Sequence, residues 1–353
     1  MSITAEGVKM VKVAVIGVGS MGRNHARVYS ELPEADLVAV ADTNLQAAHK
    51  ASRQFGAQPF TDYRRMLAEM QPQAVSIAVP TALHVETALA ALEAGAHILI
   101  EKPIAASLEE GQRLIEQAAV LERKLMVGHI VRFNPAIQAL KQKLQAGDLG
   151  RIFQIACRRV GPFPARIRDV GVVIDLAPHD LDLMRFLTGL DPLRLYAETE
   201  QRIHTDHEDL VLGLLRFPGG VTGTLEINWL TPAKVREVLV LGERGLFRVD
   251  DLTQDLYFFE NAYTGSISPN GGLWPALQTL KGVSEGSMTR FALQRYEPLK
   301  AELQAFLKAV QDDLPAPVTG EDGLAALRLA LALVESGRTH QVTIVSDQQQ
   351  IVR

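Results

Sequence analysis

The hydrophobic pattern of about the first 128 residues alternates short apolar runs with segments of helical spacing. The apolar runs are continuous rather than alternating, as in strands covered on both faces. They are Val11–Ile16, Asp36–Ala41, Ala74–Val79, His97–Glu101 and Leu125–Gly128. The segments with helical spacing are Ser20–Glu31, Asn44–Phe55, Leu83–Ala94 and Ser107–Glu122. This order predicts a doubly wound parallel sheet, the α/β class of a Rossmann domain.

The pattern changes after Asn134, where strand-like runs follow one another with few helices between them. Helices are predicted at Pro135–Ala146, Val173–Leu187, Pro298–Val310 and Glu321–Ser336. Strands are predicted at Arg151–Val160, Leu193–Arg202, Asp209–Phe217, Val221–Trp229, Val235–Gly242 and Leu246–Val249, and a long loop at Asn261–Arg290. We therefore expect a Rossmann domain over residues 1–130. An α+β domain over residues 131–353 would have a large, mostly antiparallel sheet and C-terminal helices able to pack back on the first domain.

Composition narrows the class of protein without identifying it. The chain has 353 residues, 47% of them hydrophobic, and a net charge of −5. That charge argues against nucleic acid or a membrane surface as the main partner. Cys157 is the only cysteine, so neither an internal disulfide nor a cysteine-rich metal site is possible, and we predict no metal. No run has the length of a signal peptide core or a membrane span, so we expect a cytoplasmic protein.

A glycine-rich turn between the first strand and the first helix predicts a dinucleotide site. The turn consists of Gly17, Val18, Gly19, Ser20, Met21 and Gly22. Glycines at this spacing permit a tight turn and a close approach of the backbone to a pyrophosphate, which the helix N-terminus attracts. Asp42 ends the second strand, twenty residues after Gly22, where an acid accepts hydrogen bonds from the ribose hydroxyls. The same carboxylate repels a 2′-phosphate, so we predict NAD rather than NADP.

Four motifs together resemble the glucose–fructose oxidoreductase, inositol dehydrogenase and rhizopine-catabolism (Gfo/Idh/MocA) family over nearly the whole chain. They are the glycine turn, Val79-Pro-Thr-Ala-Leu-His84, Glu101-Lys-Pro103 and Asp175-Leu-Ala-Pro-His-Asp-Leu-Asp182. The resemblance implies a second domain with a large open sheet whose face commonly forms homodimers or homotetramers. It also implies a further set of cofactor contacts, at Pro80, Thr81, His84, Glu101 and Lys102. For His84, a structural role at the helix start is an equal alternative.

Two further sequence segments resemble those of the UDP-N-acetylglucosamine 3-dehydrogenases and their UDP-sugar relatives within that family. They are Val127-Gly-His-Ile-Val-Arg-Phe-Asn-Pro135 and Arg158-Arg-Val-Gly-Pro-Phe-Pro-Ala-Arg-Ile-Arg-Asp169. The resemblance implies oxidation of a sugar C3 hydroxyl and substrate contacts at Arg132 and Asn134. Pro178, directly before His179, departs from the aliphatic residue expected there.

Oxidation of a secondary alcohol needs a base for the hydroxyl proton, and His179 is the candidate because its ordinary pKa lies near working pH. Asp175 precedes it by four residues, so on a helix the carboxylate shares a face with the imidazole and can orient it. Asp182 lies near the same face and is a weaker candidate, for contact with the substrate. Lys102 follows the carboxyl end of a parallel strand, where it can donate to the reacting oxygen.

Arginines concentrated before the predicted catalytic helix point to a phosphorylated substrate. Arg158, Arg159, Arg166 and Arg168 fall within eleven residues of an acidic chain. The planar guanidinium suits phosphate oxygens, and we assign substrate binding to Arg159 with Arg166 or Arg168. The predicted function is therefore NAD-dependent oxidation of a UDP-sugar, with UDP-N-acetylglucosamine first. An inositol- or glucose-type dehydrogenase acting on a free polyol or sugar, and a non-catalytic NAD-binding regulator, are the alternatives.

Overall fold

The structure, a computed structural model, describes residues 10–164, 170–203, 206–263 and 283–345. The helices in chain order are α1 (Ser20–Glu31), α2 (Leu45–Phe55), α3 (Tyr63–Met70), α4 (His84–Glu93), α5 (Leu108–Val120), α6 (Pro135–Gln145), α7 (Val172–Thr188), α8 (Pro298–Gln311) and α9 (Gly320–Thr339). The strands are β1 (Val11–Ile16), β2 (Ala35–Ala41), β3 (Gln58–Phe60), β4 (Ala74–Ile77), β5 (His97–Glu101), β6 (Leu125–Gly128), β7 (Ile152–Pro162), β8 (Arg194–Glu200), β9 (Leu210–Arg216), β10 (Thr222–Asn228), β11 (Leu230–Gly242), β12 (Gly245–Asp250), β13 (Asp255–Tyr263), β14 (Val283–Arg290) and β15 (Thr343–Ile344).

The chain divides into two compact units. The first comprises residues 1–133 and 296–329, and the second comprises residues 134–295 and 330–353. Helix α8 and the first half of α9 therefore belong with the Rossmann unit, although they follow the whole second sheet in sequence. Among the described residues, no helix is long and apolar enough to cross a bilayer.

The first unit contains a parallel sheet in the order β3-β2-β1-β4-β5-β6 among its described strands. This is the strand order of a dinucleotide-binding sheet, which places ligands at the carboxyl ends where the order reverses, between β1 and β4. The buried apolar runs of β1, β4 and β5 form its centre. The predicted fold class is confirmed. The short strand β3 and the largely polar helix α3 were not predicted, because three residues and eight residues give little periodicity.

The second unit contains a mixed sheet in the order β14-β13-β12-β11-β7-β10-β9-β8-β15 among its described strands. Strands β7 and β10 are parallel, and the other described neighbours are antiparallel, as predicted for a mostly antiparallel sheet. Helix α7 packs on β7, β9 and β10.

The loop predicted at Asn261–Arg290 is wrong at both ends. Strand β13 extends to Tyr263, and β14 covers Val283–Arg290, while residues 264–282 lie outside the described part of the chain. Strand β14 is an edge strand rich in Ser, Gly and Thr, a composition that does not favour a strand. Its pairing with β13 stabilises the extended conformation instead.

Candidate active site

The glycine turn forms the beginning of the cofactor site in the first unit. Gly17 has a φ of +85°, and a Cβ there would lie 2.6 Å from the carbonyl oxygen of Ala78. A Cβ on Gly22 would lie 1.7 Å from the carbonyl oxygen of Gly17, so both positions require glycine. Gly19 has no atom within 4 Å of such a Cβ and, like Ser20 at the start of α1, is exposed. This leaves space for a pyrophosphate at the helix N-terminus.

Asp42 is held against the glycine turn by backbone hydrogen bonds. The N–H of Val18 donates to its Oδ2 at 2.9 Å, and the N–H of Asn44 donates to its Oδ1 at 2.8 Å. Each carboxylate oxygen has a second acceptor position. The side chain is therefore fixed where the second strand ends and retains capacity for the hydroxyls of a ribose. With the glycine turn, this geometry fits an adenine dinucleotide.

The motif after β4 leads into a short turn, Thr81–Leu83, preceded by Pro80. His84 is buried, with its Nδ1 2.8 Å from the carbonyl oxygen of Pro103 and its Nε2 3.0 Å from that of Val79. Burial lowers the pKa of His84 and outweighs the carbonyl contacts that favour its charged form. His84 thus joins the loops that follow β4 and β5, which supports its structural role.

Glu101 and Lys102 stand at the carboxyl end of β5, and the peptide between Lys102 and Pro103 is cis. The Oε1 atom of Glu101 lies 2.9 Å from Nε2 of His25, a buried residue of α1. Burial opposes ionisation of Glu101, but the His25 contact and the charge of Lys102 outweigh it, so the pKa of Glu101 is lowered. The glutamate contacts α1, which fixes the backbone directly before the candidate lysine.

Arg132 does not have the solvent exposure expected of a substrate-binding arginine. It is buried in the turn Ile130–Phe133, and its Nη1 donates to Oδ2 of Asp322 on α9 at 3.0 Å. The ion pair connects the end of the Rossmann sequence to a helix nearly two hundred residues later. Its assignment to the substrate stays a prediction.

In the second unit, α7 contains the candidate base. Asp175 lies in its first turn and His179 one turn later, so the two share a helix face, and both are partly buried. Pro178 is inside the helix, which continues past it to Thr188. Asp182 is almost fully buried. At the N-terminus of α7, Glu208 receives hydrogen bonds from the backbone N–H groups of Val172 and Val173.

Arg159 and Asn134 bind carboxylates of the protein itself. Arg159 donates from Nε and Nη2 to the two oxygens of Asp180, each at 2.8 Å. Burial works against the charge of Arg159, but Asp180 outweighs it and raises the pKa of Arg159. Asn134 caps α6 by accepting from the N–H of Ala136 and donates to Asp251. Arg159 and Asn134 thus have partners within the protein, and their substrate role stays a prediction, while Arg166 and Arg168 lie outside the described residues.

Arg236 on β11, which was not predicted as a site residue, is paired in register with Arg159. Burial and the nearby charge of Arg159 lower the pKa of Arg236 to about 10, so it remains a cation at neutral pH. Its position could have been found from the alternation along β11, where Val238 and Val240 share its face and are buried. Among the described residues, no group of three or more His, Cys, Asp or Glu is arranged to hold a metal ion.

Comparison with known proteins gives the family. Residues 11–129 match the NAD-binding Rossmann fold of the Gfo/Idh/MocA oxidoreductases, and residues 137–248 match the C-terminal domain of the same family. The chain is 31% identical to a UDP-N-acetylglucosamine 3-dehydrogenase of Acidithiobacillus ferrooxidans over 91% of its length and 95% of that protein. It is 24% identical to a myo-inositol 2-dehydrogenase of Thermotoga maritima over 92% and 96%.

Solved structures agree with this assignment. A structure of the Acidithiobacillus ferrooxidans enzyme matches with a TM-score of 0.80 at 30% identity, covering 94% of this chain and 98% of that one. The WlbA dehydrogenase of Bordetella pertussis, solved with NADH and UDP-GlcNAcA, matches with a TM-score of 0.76 at 24% identity, covering 96% and 99%. This chain belongs to the Gfo/Idh/MocA family of oxidoreductases.

Proposed function

We propose that this protein is an NAD-dependent dehydrogenase that oxidises a secondary hydroxyl of a UDP-sugar, with C3 of UDP-N-acetylglucosamine as the first candidate. The observation that supports this most directly is the 31% identity to a UDP-N-acetylglucosamine 3-dehydrogenase along almost the full length of both chains. The glycine turn and Asp42, fixed by the N–H of Val18, support a bound dinucleotide. The family model that matches residues 11–129 describes an NAD-binding fold.

In this proposal the protein's side chains accept the proton of the substrate hydroxyl and stabilise the negative charge that develops on its oxygen. NAD, when bound, supplies the acceptor for the hydride that leaves the carbinol carbon. The imidazole of His179 takes the hydroxyl proton, and Asp175, one turn earlier on α7, stabilises the imidazolium that forms. The ammonium of Lys102 donates to the same oxygen and stabilises negative charge as it develops. Pro80 and Thr81 border the cofactor, while Glu101 and His84 fix the backbone around Lys102.

A second candidate is a dehydrogenase of free polyols or sugars. The 24% identity to a myo-inositol 2-dehydrogenase over 92% of the chain favours it, because the two enzyme classes share the same family. A non-catalytic NAD-binding regulator is less well supported, because such a protein would have no need for Lys102, Asp175 and His179 together.

We also propose a homodimer or homotetramer formed through the second sheet. The face of the sheet opposite α7 exposes Leu212 and Leu214 on β9, each 50% exposed. Neighbouring exposed leucines on a broad sheet face are typical of a surface that another chain covers.

The test is a turnover assay with NAD and a matched substrate panel. UDP-N-acetylglucosamine, free N-acetylglucosamine and myo-inositol are compared by kcat/KM from NADH absorbance. The proposal requires UDP-N-acetylglucosamine to exceed both uncharged compounds by at least about a hundredfold, about 2.7 kcal/mol of transition-state binding. Equal or greater efficiency with myo-inositol would replace it with the polyol dehydrogenase.

A further inference from the structure

Two arginines face each other across neighbouring strands beneath α7. Arg159 on β7 and Arg236 on β11 are register partners, so they lie on the same face of the sheet. Arg159 is neutralised by Asp180, which accepts two hydrogen bonds from it at 2.8 Å. Arg236 makes no ion pair with any carboxylate in the described part of the chain. Among the described residues, one of the two paired cations therefore has a carboxylate bound directly to it and the other has none.

Arg236 is held by the backbone through one of its nitrogens. Its Nη1 donates to the carbonyl oxygens of Val160 at 2.7 Å and Val235 at 2.8 Å. A guanidinium has five N–H donors, and these two bonds use the two on Nη1. The three donors on Nε and Nη2 bind nothing among the described residues. The backbone thus orients the guanidinium before any ligand binds, and the N–H donors on Nε and Nη2 remain for a ligand.

The surroundings of Arg236 connect it to the helix that contains the candidate base. Asp180, Asp251 and Asp175 all act on its charge electrostatically, and Asp175 lies in the first turn of α7. Asp180 directly follows His179 in the sequence and binds the register partner of Arg236. Arg236 is partly buried, and burial of a cation costs free energy unless an anion binds it. Partly buried cations with unused donors near reactive groups are typical of binding sites.

We infer that Arg236 binds a negatively charged oxygen of the substrate through Nε and Nη2, in the two-pronged manner that suits phosphate and carboxylate. The inference rests on the proposed function, since it treats α7 as the catalytic helix. The ligand class is an oxyanion attached to the sugar, and the diphosphate of a nucleotide sugar is the first candidate. The geometry of a guanidinium matches two oxygens of such a group.

Arg158 provides a matched control. It precedes Arg159 on β7 and pairs in register with Glu237, so it lies on the opposite face of the same two strands. Its Nε is 2.9 Å from Oε2 of Glu226, and its side chain is 47% exposed. Arg158→Gln removes the same charge from the neighbouring position without touching the face that α7 covers.

The experiment compares the wild type with Arg236→Gln, Arg236→Lys and Arg158→Gln. Binding of UDP to the NADH-loaded protein is measured by calorimetry, and KM and kcat are measured with UDP-N-acetylglucosamine. We expect Arg236→Gln to weaken UDP binding and raise KM at least tenfold, with a smaller change in kcat. Arg236→Lys should recover part of the loss, because it restores the positive charge but not the paired N–H donors of the guanidinium. Arg158→Gln should match the wild type, and unchanged melting temperatures verify folding.

The outcomes separate this inference from the proposed function. If the wild type oxidises UDP-N-acetylglucosamine and Arg236→Gln leaves KM and UDP binding unchanged, the inference is overturned and the function stands. A fall in kcat with a shifted pH profile but constant KM also overturns it, because Arg236 then acts on α7 alone. If the wild type prefers a sugar acid such as glucuronic acid and Arg236→Gln loses that preference, the inference stands and the UDP-sugar assignment fails. Turnover of uncharged sugars alone, equal in wild type and variant, overturns both.

Discussion

Glu302 on α8 is a buried carboxyl whose two oxygens accept no hydrogen bond from the described residues of the protein. Burial raises its pKa well above the ordinary value, and the negative charge of Glu101 adds to the effect. Glu302 therefore retains its proton in the folded state beyond the pH at which it is released in the unfolded chain. Glu101, with His25 as its partner, shifts in the opposite direction. The protein therefore favours the charged form of Glu101, which has a partner in His25, and the neutral form of Glu302, which accepts no hydrogen bond from the described residues.

Glu302→Gln should stabilise the protein, and more at high pH. An acid whose folded-state pKa is raised contributes a stability that is lost as the pH rises above its unfolded pKa. The glutamine keeps the shape of the protonated acid and cannot ionise. We expect the melting temperature of the variant to exceed that of the wild type by a few degrees near pH 8, and by less near pH 5. A constant difference across that range would contradict the raised pKa.

Asp42 should govern the choice between NAD and NADP. Its carboxylate is fixed by Val18 and Asn44, so it cannot turn away from an added 2′-phosphate without breaking two hydrogen bonds. We expect NAD to bind at least tenfold more tightly, which corresponds to about 1.4 kcal/mol, and Asp42→Ala to narrow that gap. Fluorescence titration with NADH and NADPH measures both. Equal affinity of the wild type for the two cofactors would refute the assignment.

Lys102→Ala and His179→Ala should each lower kcat by about a hundredfold or more. The reason is that each removes a group assigned to the reacting oxygen, whereas neither contributes to the glycine turn. NADH affinity should therefore stay close to that of the wild type, and this serves as the control for folding. Near-native turnover by either variant would remove that residue from the mechanism.

At the scale of elements, the ion pair of Arg159 and Asp180 attaches α7 to β7. Both side chains are almost fully buried, so removing one leaves the other charge uncompensated. We expect Arg159→Met alone to cost about 3–5 kcal/mol of unfolding free energy, as for other broken buried pairs. The double variant Arg159→Met with Asp180→Leu should recover much of that loss. Urea unfolding of the single and double variants measures the coupling, and additive losses would show that the pair does not act as a unit.

For the molecule as a whole, the exposed leucines of β9 predict self-association. Leu212→Glu places a charge at a position that a second chain would cover, so it should dissociate a dimer or tetramer. Sedimentation velocity compares the wild type with this variant. Leu252→Glu is the control, because Leu252 is 47% exposed but lies in the turn between β12 and β13. A monomeric wild type would refute the proposed assembly.

Most of the Rossmann unit could be predicted because its signals are local. Strand β5 has its predicted limits, and Asn44, expected to open α2, caps it by accepting from the N–H groups of Gln46 and Ala47. The predictions failed where order depends on distant pairing. Strand β14 is too polar to show a pattern and exists through its hydrogen bonds with β13. By contrast, the C-terminal helices were expected to be able to pack back on the first domain, and helix α8 does belong to the first unit, although more than 160 residues separate it from β6.

The sequence by itself determined the glycine turn, the acid at the end of β2 and the spacing of Asp175 and His179. These features depend on neighbours within one strand, turn or helix, where backbone geometry fixes which residues meet. Only the tertiary structure decided that Arg159 has a carboxylate of the protein as its partner. Arg159 meets Asp180 and stands opposite Arg236 because of the register of β7 and β11, and a slip of one residue would send each side chain to the other face. Register is set by the packing of the whole sheet, so composition around Arg159 could not reveal it.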